Sequence, residues 1–186
     1  MILKFVATGV VVSAWKAVIA ASSGSSLVGY LPAGTGAVST TVQAKLRERV
    51  SVLDFGAYRD GTNATATTAA IQAAFAAMSA GGIVYFPAGT YKLSSAGIQL
   101  LNTSNVTVQG DGMGASIIDG SAVITVSVFT LGNASGPATC NNVTLKDITV
   151  FGGRASTMAH VIEFRGINNF VMDRVEVYGG YYEKIG

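Results

Sequence analysis

The sequence has few of the residues that most often carry out chemistry. It contains one cysteine and one histidine in 186 residues. A single cysteine excludes an internal disulfide framework and cannot hold zinc by itself, so we interpret Cys140 as a small buried hydrophobic residue. Charged residues make up only 12% of the chain, and the net charge is +2, without a cluster of lysine and arginine. Nucleic acid is therefore not a predicted partner.

The scarcity of charge leaves an apolar chain. Hydrophobic residues make up 49% of it, and the mean hydropathy is +0.46. A chain of this length can bury one good core, so we interpret it as a single domain with a tail. The apolar balance is high for a soluble monomer, which predicts burial of surface in an oligomer or insertion of a segment in a membrane.

One amphipathic helix is predicted in the first half of the chain. Four apolar residues at i, i+3, i+4 and i+7 form its stripe: Ile71, Ala74, Phe75 and Met78. Thr67 or Thr68 can cap its start, and Gly81-Gly82 can end it. A short β-rich run, 83–86, follows. One helix followed by many short strands predicts a helical lid on a β structure.

The second half of the chain contains a repeat of 27 residues, because residues 141–153 align position for position with residues 168–180. This period predicts one coil of a solenoid of parallel strands. Alternation along the strands predicts four inward residues in the first copy: Val143, Leu145, Ile148 and Val150. They are expected to stack on four inward residues of the second copy: Phe170, Met172, Val175 and Val177.

The outward positions of the repeat are expected to pair across the two coils. The pairs are Lys146 with Asp173, Thr149 with Glu176, and Phe151 with Tyr178. The asparagines that begin each copy are expected to turn the chain, and Asp60 and Asp111 are expected to form turns. The last residues start a new segment without a capping helix. From this we expect a longer β-helix, or another chain over the final coil.

Five short motifs in a fixed order carry a family resemblance: 52–57, 60–61, 68–74, 86–91 and 108–112. In these motifs the chain resembles the start of the pectate-lyase-like right-handed β-helix superfamily. Three earlier segments resemble the linker between the particle-binding end of a phage tailspike and such a β-helix: 24–30, 34–38 and 45–52. Two departures are Arg59, where the family usually has glycine, and residues 63–67, which lack the usual paired aspartates.

The resemblance implies an all-β solenoid, namely a right-handed single-stranded parallel β-helix with one N-terminal capping α-helix and a short helical neck. It implies an apolar N-terminal segment, 1–21, a linker and neck, 22–50, and the first β-helix coils, 51–186. It also implies a homotrimer on the virion that contacts host surface polysaccharide and other tail proteins. Depolymerase activity, as a polysaccharide lyase or glycoside hydrolase, would then belong to the full-length spike.

Residues 1–21 fit three interpretations. Lys4, the apolar run after it and the small residues before Ser22 suit a secretory signal peptide. Lys16 argues against a membrane span, because a central charge costs about 3 kcal/mol on insertion scales. The third interpretation is the remnant of a longer particle-binding region, which the following tailspike-like linker favours. No stable membrane insertion is therefore predicted.

The predicted neck lies within residues 40–50, where Val42, Leu46 and Val50 share one helical face. So short a helix is marginal without partners. It is either the place where three chains meet or one solvated turn before a strand.

The candidate catalytic residues are acidic side chains at outward positions of the last coils. Hydrolysis of a glycosidic bond needs two carboxyl groups roughly 5 to 9.5 Å apart, and the candidates are Glu163, Asp173 and Glu176. The candidate carbohydrate-binding residues are two aromatic and two basic side chains: Phe151, Tyr178, Arg165 and Arg174. In the alternative interpretation these charges only keep the solenoid soluble, with Lys146 paired to Asp173. His160 is interpreted as structural.

No cofactor or metal site is predicted, and the sequence leaves a calcium ion open. Two alternatives to a tailspike follow from the same residues. A secreted pectate-lyase-like enzyme predicts a monomer that starts near Ser22, whereas a tailspike predicts an uncleaved start and chains in threes. An inactive truncated fragment predicts failure to fold in isolation.

Overall fold

The computed structural model describes residues 9–132, 140–153 and 160–179. The chain divides into two compact units, Met1–Glu48 and Arg49–Gly186. The first unit contains two α-helices, one 3-10 helix and an antiparallel pair of strands: α1 (Gly9–Ala20), Gly24–Ser26, β1 (Gly29–Tyr30), β2 (Thr40–Thr41) and α2 (Val42–Leu46). No helix in the described part of the chain is long and apolar enough to cross a membrane.

The neck helix α2 is shorter than the sequence predicts. The hydroxyl of Thr41 caps it by accepting a hydrogen bond from the amide of Ala44 at 3.1 Å. The helix ends at Leu46, whose side chain is 67% exposed, and Val50 lies in the next strand. The predicted apolar face of three residues is therefore wrong, and the structure here is a short helix before a strand.

The second unit is built from ten strands in the described residues. They are β3 (Arg49–Ser51), β4 (Gly82–Phe86), β5 (Gly89–Lys92), β6 (Ile98–Leu101), β7 (Val106–Gly110), β8 (Ser116–Gly120), β9 (Phe129–Gly132), β10 (Cys140–Gly152), β11 (Ile162–Arg165) and β12 (Ile167–Gly179). A 3-10 helix, Val52–Phe55, and helix α3, Ala64–Ala77, come between β3 and β4.

The strands form three parallel stacks, each of which runs from coil to coil. The first stack is β3, β4, β7 and the first halves of β10 and β12, and the second is β5, β8 and the second halves of the same two strands. The third stack is β6, β9 and β11. Asp147 and Arg174, with φ of +56° and +49°, divide the two long strands. The predicted right-handed parallel β-helix is confirmed.

The predicted 27-residue register is also confirmed. Val143 faces Phe170, Leu145 faces Met172, Ile148 faces Val175 and Val150 faces Val177. All four residues of the first copy are buried in the core. Those of the second copy are less covered, and Met172 is 43% exposed, because β12 is an edge strand in the described part of the chain. The inward ladder stabilises through apolar burial, at about 1.5 to 3 kcal/mol for each fully buried side chain.

Helix α3 covers the core at the N-terminal end of the β-helix. The predicted stripe is confirmed, because Ile71, Ala74, Phe75 and Met78 are all buried. The ring of Phe75 stacks on that of Phe129, with centroids 5.6 Å apart and planes within 7°. The helix therefore acts as a lid over the β-helix.

The predicted capping of α3 is wrong. The helix begins at Ala64, and Thr67 and Thr68 lie buried inside its first turns. The Thr67 hydroxyl accepts a hydrogen bond from the Tyr58 amide at 3.1 Å, and the Thr68 hydroxyl accepts one from the Ser94 amide at 2.8 Å. These threonines therefore join the helix to other segments of the β-helix instead of starting it.

Asparagines turn the chain in successive coils, as predicted from the repeat. Asn105, Asn142 and Asn169 have φ of +59°, +55° and +56°, the left-handed region that asparagine tolerates better than most residues. The side-chain NH₂ group of Asn142 donates a hydrogen bond to Oδ1 of Asn105 at 2.9 Å, and the side-chain NH₂ group of Asn169 donates one to Oδ1 of Asn142 at 3.2 Å. The turn residues thus form a hydrogen-bonded ladder along the solenoid.

Candidate functional site

Two aromatic side chains lie together on the outer face of the second stack. Phe151 and Tyr178 face each other in β10 and β12, with ring centroids 5.0 Å apart and planes tilted by 36°. The predicted aromatic pair is present, and Tyr178 is 46% exposed. This surface offers an aromatic ring to a ligand.

A carboxylate lies beside the aromatic pair. Glu176 is two residues before Tyr178, so their side chains leave the same face of the strand. The hydroxyl of Thr149, which is fully buried, donates to Glu176 Oε2 at 2.8 Å and accepts from the Gly114 amide at 2.8 Å. These bonds hold one oxygen of the exposed Glu176 in a defined place.

A network of opposite charges lies at the bend between the halves of β10 and β12. Arg174 donates from Nε to Asp147 Oδ1 at 2.5 Å, and its Nη1 is 2.7 Å from Asp173 Oδ2. The hydrogen bond from Arg174 lowers the pKa of Asp147; burial opposes this, and the charges of Arg174 and Lys146 add to the lowering. Asp173 faces Lys146 in the register, as the repeat predicts, but the ion pair of Asp173 is with Arg174.

Glu163 lies in a different part of the molecule, on β11 of the third stack. Its Oε2 accepts from the buried Ser127 hydroxyl at 2.8 Å and from the buried Thr130 hydroxyl at 3.4 Å. Its Oε1 accepts from Arg165 Nε at 2.8 Å. Burial opposes ionisation of Glu163, but the hydrogen bonds from Arg165 and Ser127 and the charge of Arg165 outweigh it and lower the pKa.

His160 lies just before this strand. Its ring Nδ1 is buried and has no hydrogen-bond partner among the residues that the structure describes, while its backbone carbonyl accepts from the Val128 amide at 3.0 Å. Its charge would favour ionised Glu163. The backbone bond joins this residue to the segment just before β9 but does not depend on its side chain, so the structural role of His160 stays a prediction.

The structure thus separates the predicted site residues into two groups. Glu163 and Arg165 lie on the third stack, whereas the other five lie on β10 and β12: Phe151, Asp173, Arg174, Glu176 and Tyr178. Asp173 and Glu176 lie on either side of the Arg174 bend. Asp147 and Ser127 are not among the partners predicted from the sequence. Asp147 lies one 27-residue repeat before Arg174, so the repeat contains this pair, whereas Ser127 lies 36 residues before Glu163 and matches no repeat.

A second polar network lies near the start of the β-helix. The guanidinium of Arg49 lies 3.6 Å from the centre of the Tyr85 ring, and the Tyr85 hydroxyl donates to Asp111 Oδ1 at 2.5 Å. Asp111 also accepts from the Ala88 amide at 2.8 Å. Asp111 therefore bonds across coils rather than within its own turn, whereas Asp60 binds Thr62 locally as predicted.

A cavity of about 390 Å³ lies between helix α3 and strand β6. The side-chain Oε1 of Gln72, on the helix, accepts a hydrogen bond from the backbone N–H of Gln99 at 2.7 Å. Both side chains line the cavity, together with Ser79, Asn102 and Thr103. No local sequence pattern predicts this cavity, because its walls come from a helix and a strand that are distant in the chain, with Gln72 and Gln99 27 residues apart.

The acidic side chains do not gather into a metal site in the described residues. No group of three or more His, Cys, Asp or Glu side chains comes together in residues 9–132, 140–153 and 160–179. Cys140 is buried, and its sulfur accepts from the Thr103 amide at 3.3 Å. This agrees with its interpretation as a small buried residue.

Two curated relatives align with much of the chain. Mannuronan C5-epimerase AlgE6 of Azotobacter vinelandii is 37% identical over 145 residues, which cover 68% of this chain and 16% of that protein. Mannuronan C5-epimerase AlgE4 of the same organism is 38% identical over 120 residues, covering 60% and 21%. The chain therefore spans about a fifth or less of these relatives.

Solved structures share the fold. The A-module of A. vinelandii AlgE4 has a TM-score of 0.53 at 31% identity and covers 69% of this chain and 39% of its own. Tailspike protein 3 of bacteriophage CBA120 has a TM-score of 0.64 at 22% identity, covering 93% and 28%. The tailspike of E. coli bacteriophage HK620, in complex with a pentasaccharide, has a TM-score of 0.61 at 22% identity, covering 88% and 36%.

A family model gives the same assignment. The model described as "Rhamnogalacturonase A/epimerase, pectate lyase-like" matches residues 49–182, which is nearly the whole second unit. The β-helix stacks, the lid helix and the five motifs that resemble the β-helix superfamily all lie within this range. The chain therefore belongs to the rhamnogalacturonase A/epimerase family of pectate-lyase-like proteins.

Proposed function

We propose that this chain is the N-terminal part of a phage tailspike whose β-helix binds polysaccharide on the surface of the host. The observation that carries the proposal is the aromatic pair Phe151–Tyr178 beside the oriented carboxylate of Glu176. Sugar rings present C–H faces that pack on aromatic rings and hydroxyl groups that bind carboxylates, so this surface suits a glycan. Arg165 and Arg174 remain candidate contacts.

The similar structures support the tailspike over a secreted protein. The second unit makes up about three quarters of the chain, whereas the likeness to CBA120 tailspike protein 3 covers 93% of it. The shared fold with that tailspike therefore extends into residues before Arg49. The HK620 tailspike was solved with a pentasaccharide, which supports a glycan as the ligand. The proposed location is the virion, and secretion is the alternative.

The exposed apolar residues of the first unit support an oligomer, and we propose that it is a homotrimer. Only Gly24 is buried among residues 14–48, whose burial is described. The exposed large apolar and aromatic residues of this segment are Trp15, Val18, Ile19, Leu27, Val28, Tyr30, Leu31, Val38 and Leu46. A segment of this size without a core of its own usually needs a partner, and copies of the same chain would supply one. Other tail proteins are further proposed partners.

The experiment is a binding assay of the whole 186-residue chain on an array of bacterial capsular polysaccharides and lipopolysaccharides. Tyr178→Ala should abolish binding to any glycan on the array that the unaltered chain binds. Tyr58→Ala is the matched control, because Tyr58 is similarly exposed, at 44%, and makes no contact with the aromatic pair. Unchanged binding by the Tyr178→Ala chain would refute this surface as the site.

A second candidate is a polysaccharide-modifying enzyme of the epimerase type. The observation in its favour is the 37% identity to mannuronan C5-epimerase AlgE6, whose name indicates an epimerase rather than a lyase or hydrolase. Glu163, Asp173 and Glu176 remain the proposed catalytic residues. Incubation with polymannuronate, followed by proton NMR, would reveal inversion at C5 or chain cleavage. Activity that survives alanine replacement of all three would refute their catalytic role.

A further inference from the structure

We propose that the cavity between α3 and β6, here called the lid cavity, binds one or two units of an uncharged sugar. Its volume of about 390 Å³ is at the small end of the range for ligand pockets, roughly 300 to 1,000 Å³. The cavity lies on the third stack, whereas the Phe151–Tyr178 surface lies on the second. The inference is therefore independent of the function proposed above.

The walls of the lid cavity select against charge. None of the described residues that line it has an ionisable side chain. A charged sugar would lose hydration on entry without meeting an opposite charge, which is costly in a partly enclosed site. The lining therefore favours an uncharged ligand.

The polar groups of the cavity suit hydroxyl groups. Gln72 and Gln99 contribute amides, which both donate and accept, and Ser79 contributes a hydroxyl. The Thr103 hydroxyl already donates to the Leu101 carbonyl at 2.9 Å, so it can serve a ligand as an acceptor. Sugar hydroxyls also donate and accept, so each can find a partner here. Ala76 and Leu101 add small apolar patches that can contact the C–H groups of a sugar ring. This mixture of polar and apolar groups is typical of small-ligand sites.

Gln72 is held in place before a ligand arrives. Its Oε1 accepts from the Gln99 amide at 2.7 Å, which fixes the side chain and leaves its NH₂ group to donate to a ligand. A side chain that is already ordered loses less entropy on binding.

The same bond argues against a peptide as the occupant. An extended peptide would add to the edge of β6 through backbone hydrogen bonds. The Gln99 amide is on this edge and is already used by Gln72. A peptide strand would have to displace that side chain, whereas a sugar would not.

The test is a titration of the ¹⁵N-labelled full chain with maltose, lactose and N,N′-diacetylchitobiose, each followed by NMR. At least one of these disaccharides should shift the amides of residues 72–79 and 99–103. Ala76→Phe fills the cavity from an exposed helix position and should weaken binding at least about tenfold. Ala73→Phe is the control, because Ala73 is exposed on the same helix outside the cavity and should leave binding unchanged.

Five results would overturn the proposal. The first is the absence of shifts with all three sugars, and the second is equal binding by the Ala76→Phe chain. The third is binding of digalacturonate at least as tight as that of the uncharged sugars. The fourth is shifts at Gln99 and Leu101 with an extended Val-Thr repeat peptide and with none of the sugars. The fifth is loss of the response in the Tyr178→Ala chain. The Tyr178→Ala chain should retain the response. Its loss there would assign the sugar to the Phe151–Tyr178 surface and would also refute the lid cavity, so the two proposals fail separately.

Discussion

Arg174 and Asp147 occupy equivalent positions of adjacent coils and are joined by two hydrogen bonds, at 2.5 Å and 3.0 Å. Both residues have left-handed backbone, with φ of +49° and +56°. The shared bend therefore places opposite charges side by side on successive strands. Because the two bonds link β10 to β12 at the point where both strands change direction, they are expected to hold the two coils in register.

The ion pair should make stability depend on pH in the acid range. The pKa of Asp147 is lowered in the folded chain, so its contribution is complete above the ordinary carboxyl pKa of about 3.9 and is lost as pH falls through the folded value. Arg174→Ala should therefore lower the melting temperature near neutral pH and leave it nearly unchanged at the acid end. Arg47→Ala is the control for loss of one arginine, because Arg47 is exposed and belongs to the first unit. If Arg174→Ala lowered the melting temperature by the same amount at all pH values, the result would contradict this account.

The asparagine ladder should be sensitive at Asn142. Asn142→Ala removes two side-chain hydrogen bonds and puts alanine in left-handed backbone, so we expect a loss of about 2 to 4 kcal/mol in the free energy of unfolding. Asn142→Gly also removes the bonds but tolerates the backbone, so it should cost less. Urea unfolding measures both. If the glycine variant is no more stable than the alanine variant, the backbone strain is not significant.

Glu163 should stabilise the fold because its carboxylate accepts hydrogen bonds from two buried hydroxyl groups. Glu163→Ala leaves Ser127 and Thr130 without this acceptor, so we expect a loss of about 1 to 3 kcal/mol in the free energy of unfolding. Glu163→Gln keeps an oxygen acceptor and should lose less, while removing the ion pair with Arg165. Chemical denaturation of the two variants compares them, and equal losses would show that charge rather than hydrogen bonding dominates.

Tyr85 should make the protein less stable in alkali. Its hydrogen bond to Asp111 raises its pKa, so the stabilisation is complete below the ordinary tyrosine pKa of about 10 and is lost as pH rises through the folded value. Tyr85→Phe should cost about 1 kcal/mol at neutral pH and remove part of the alkaline loss. Unfolding curves at neutral and alkaline pH provide the measurement. An alkaline loss of the same size in the Tyr85→Phe chain would show that Tyr85 is not its source.

The solution mass should distinguish the proposed spike from a secreted enzyme. Light scattering combined with intact mass spectrometry should give a trimer that retains residues 1–21. Replacing Val38 and Leu46 by serine should shift the mass towards the monomer, since both are exposed apolar residues of the first unit. A monomer that begins near Ser22 would instead favour the secreted enzyme.

Much of the β-helix could be predicted from local sequence. The 27-residue repeat predicts the register of β10 with β12, because equivalent residues of successive coils stack directly. The stripe on α3 predicts its buried face, because helical spacing places those residues on one side. The start of α3 could not be predicted from Thr67 and Thr68, since their hydroxyls bind distant backbone groups.

The candidate sites depended on tertiary structure to a greater degree. Sequence alone determined which side chains of the repeat face outward, and so paired Phe151 with Tyr178. The repeat also placed Arg174 beside Asp147, but only the fold decided that Glu163 lies on another stack and that a cavity lies between α3 and β6. The spacing between coils is not constant, with 37 residues from Asn105 to Asn142 and 27 from there to Asn169. Contacts between coils of unequal length are therefore not encoded in any local period.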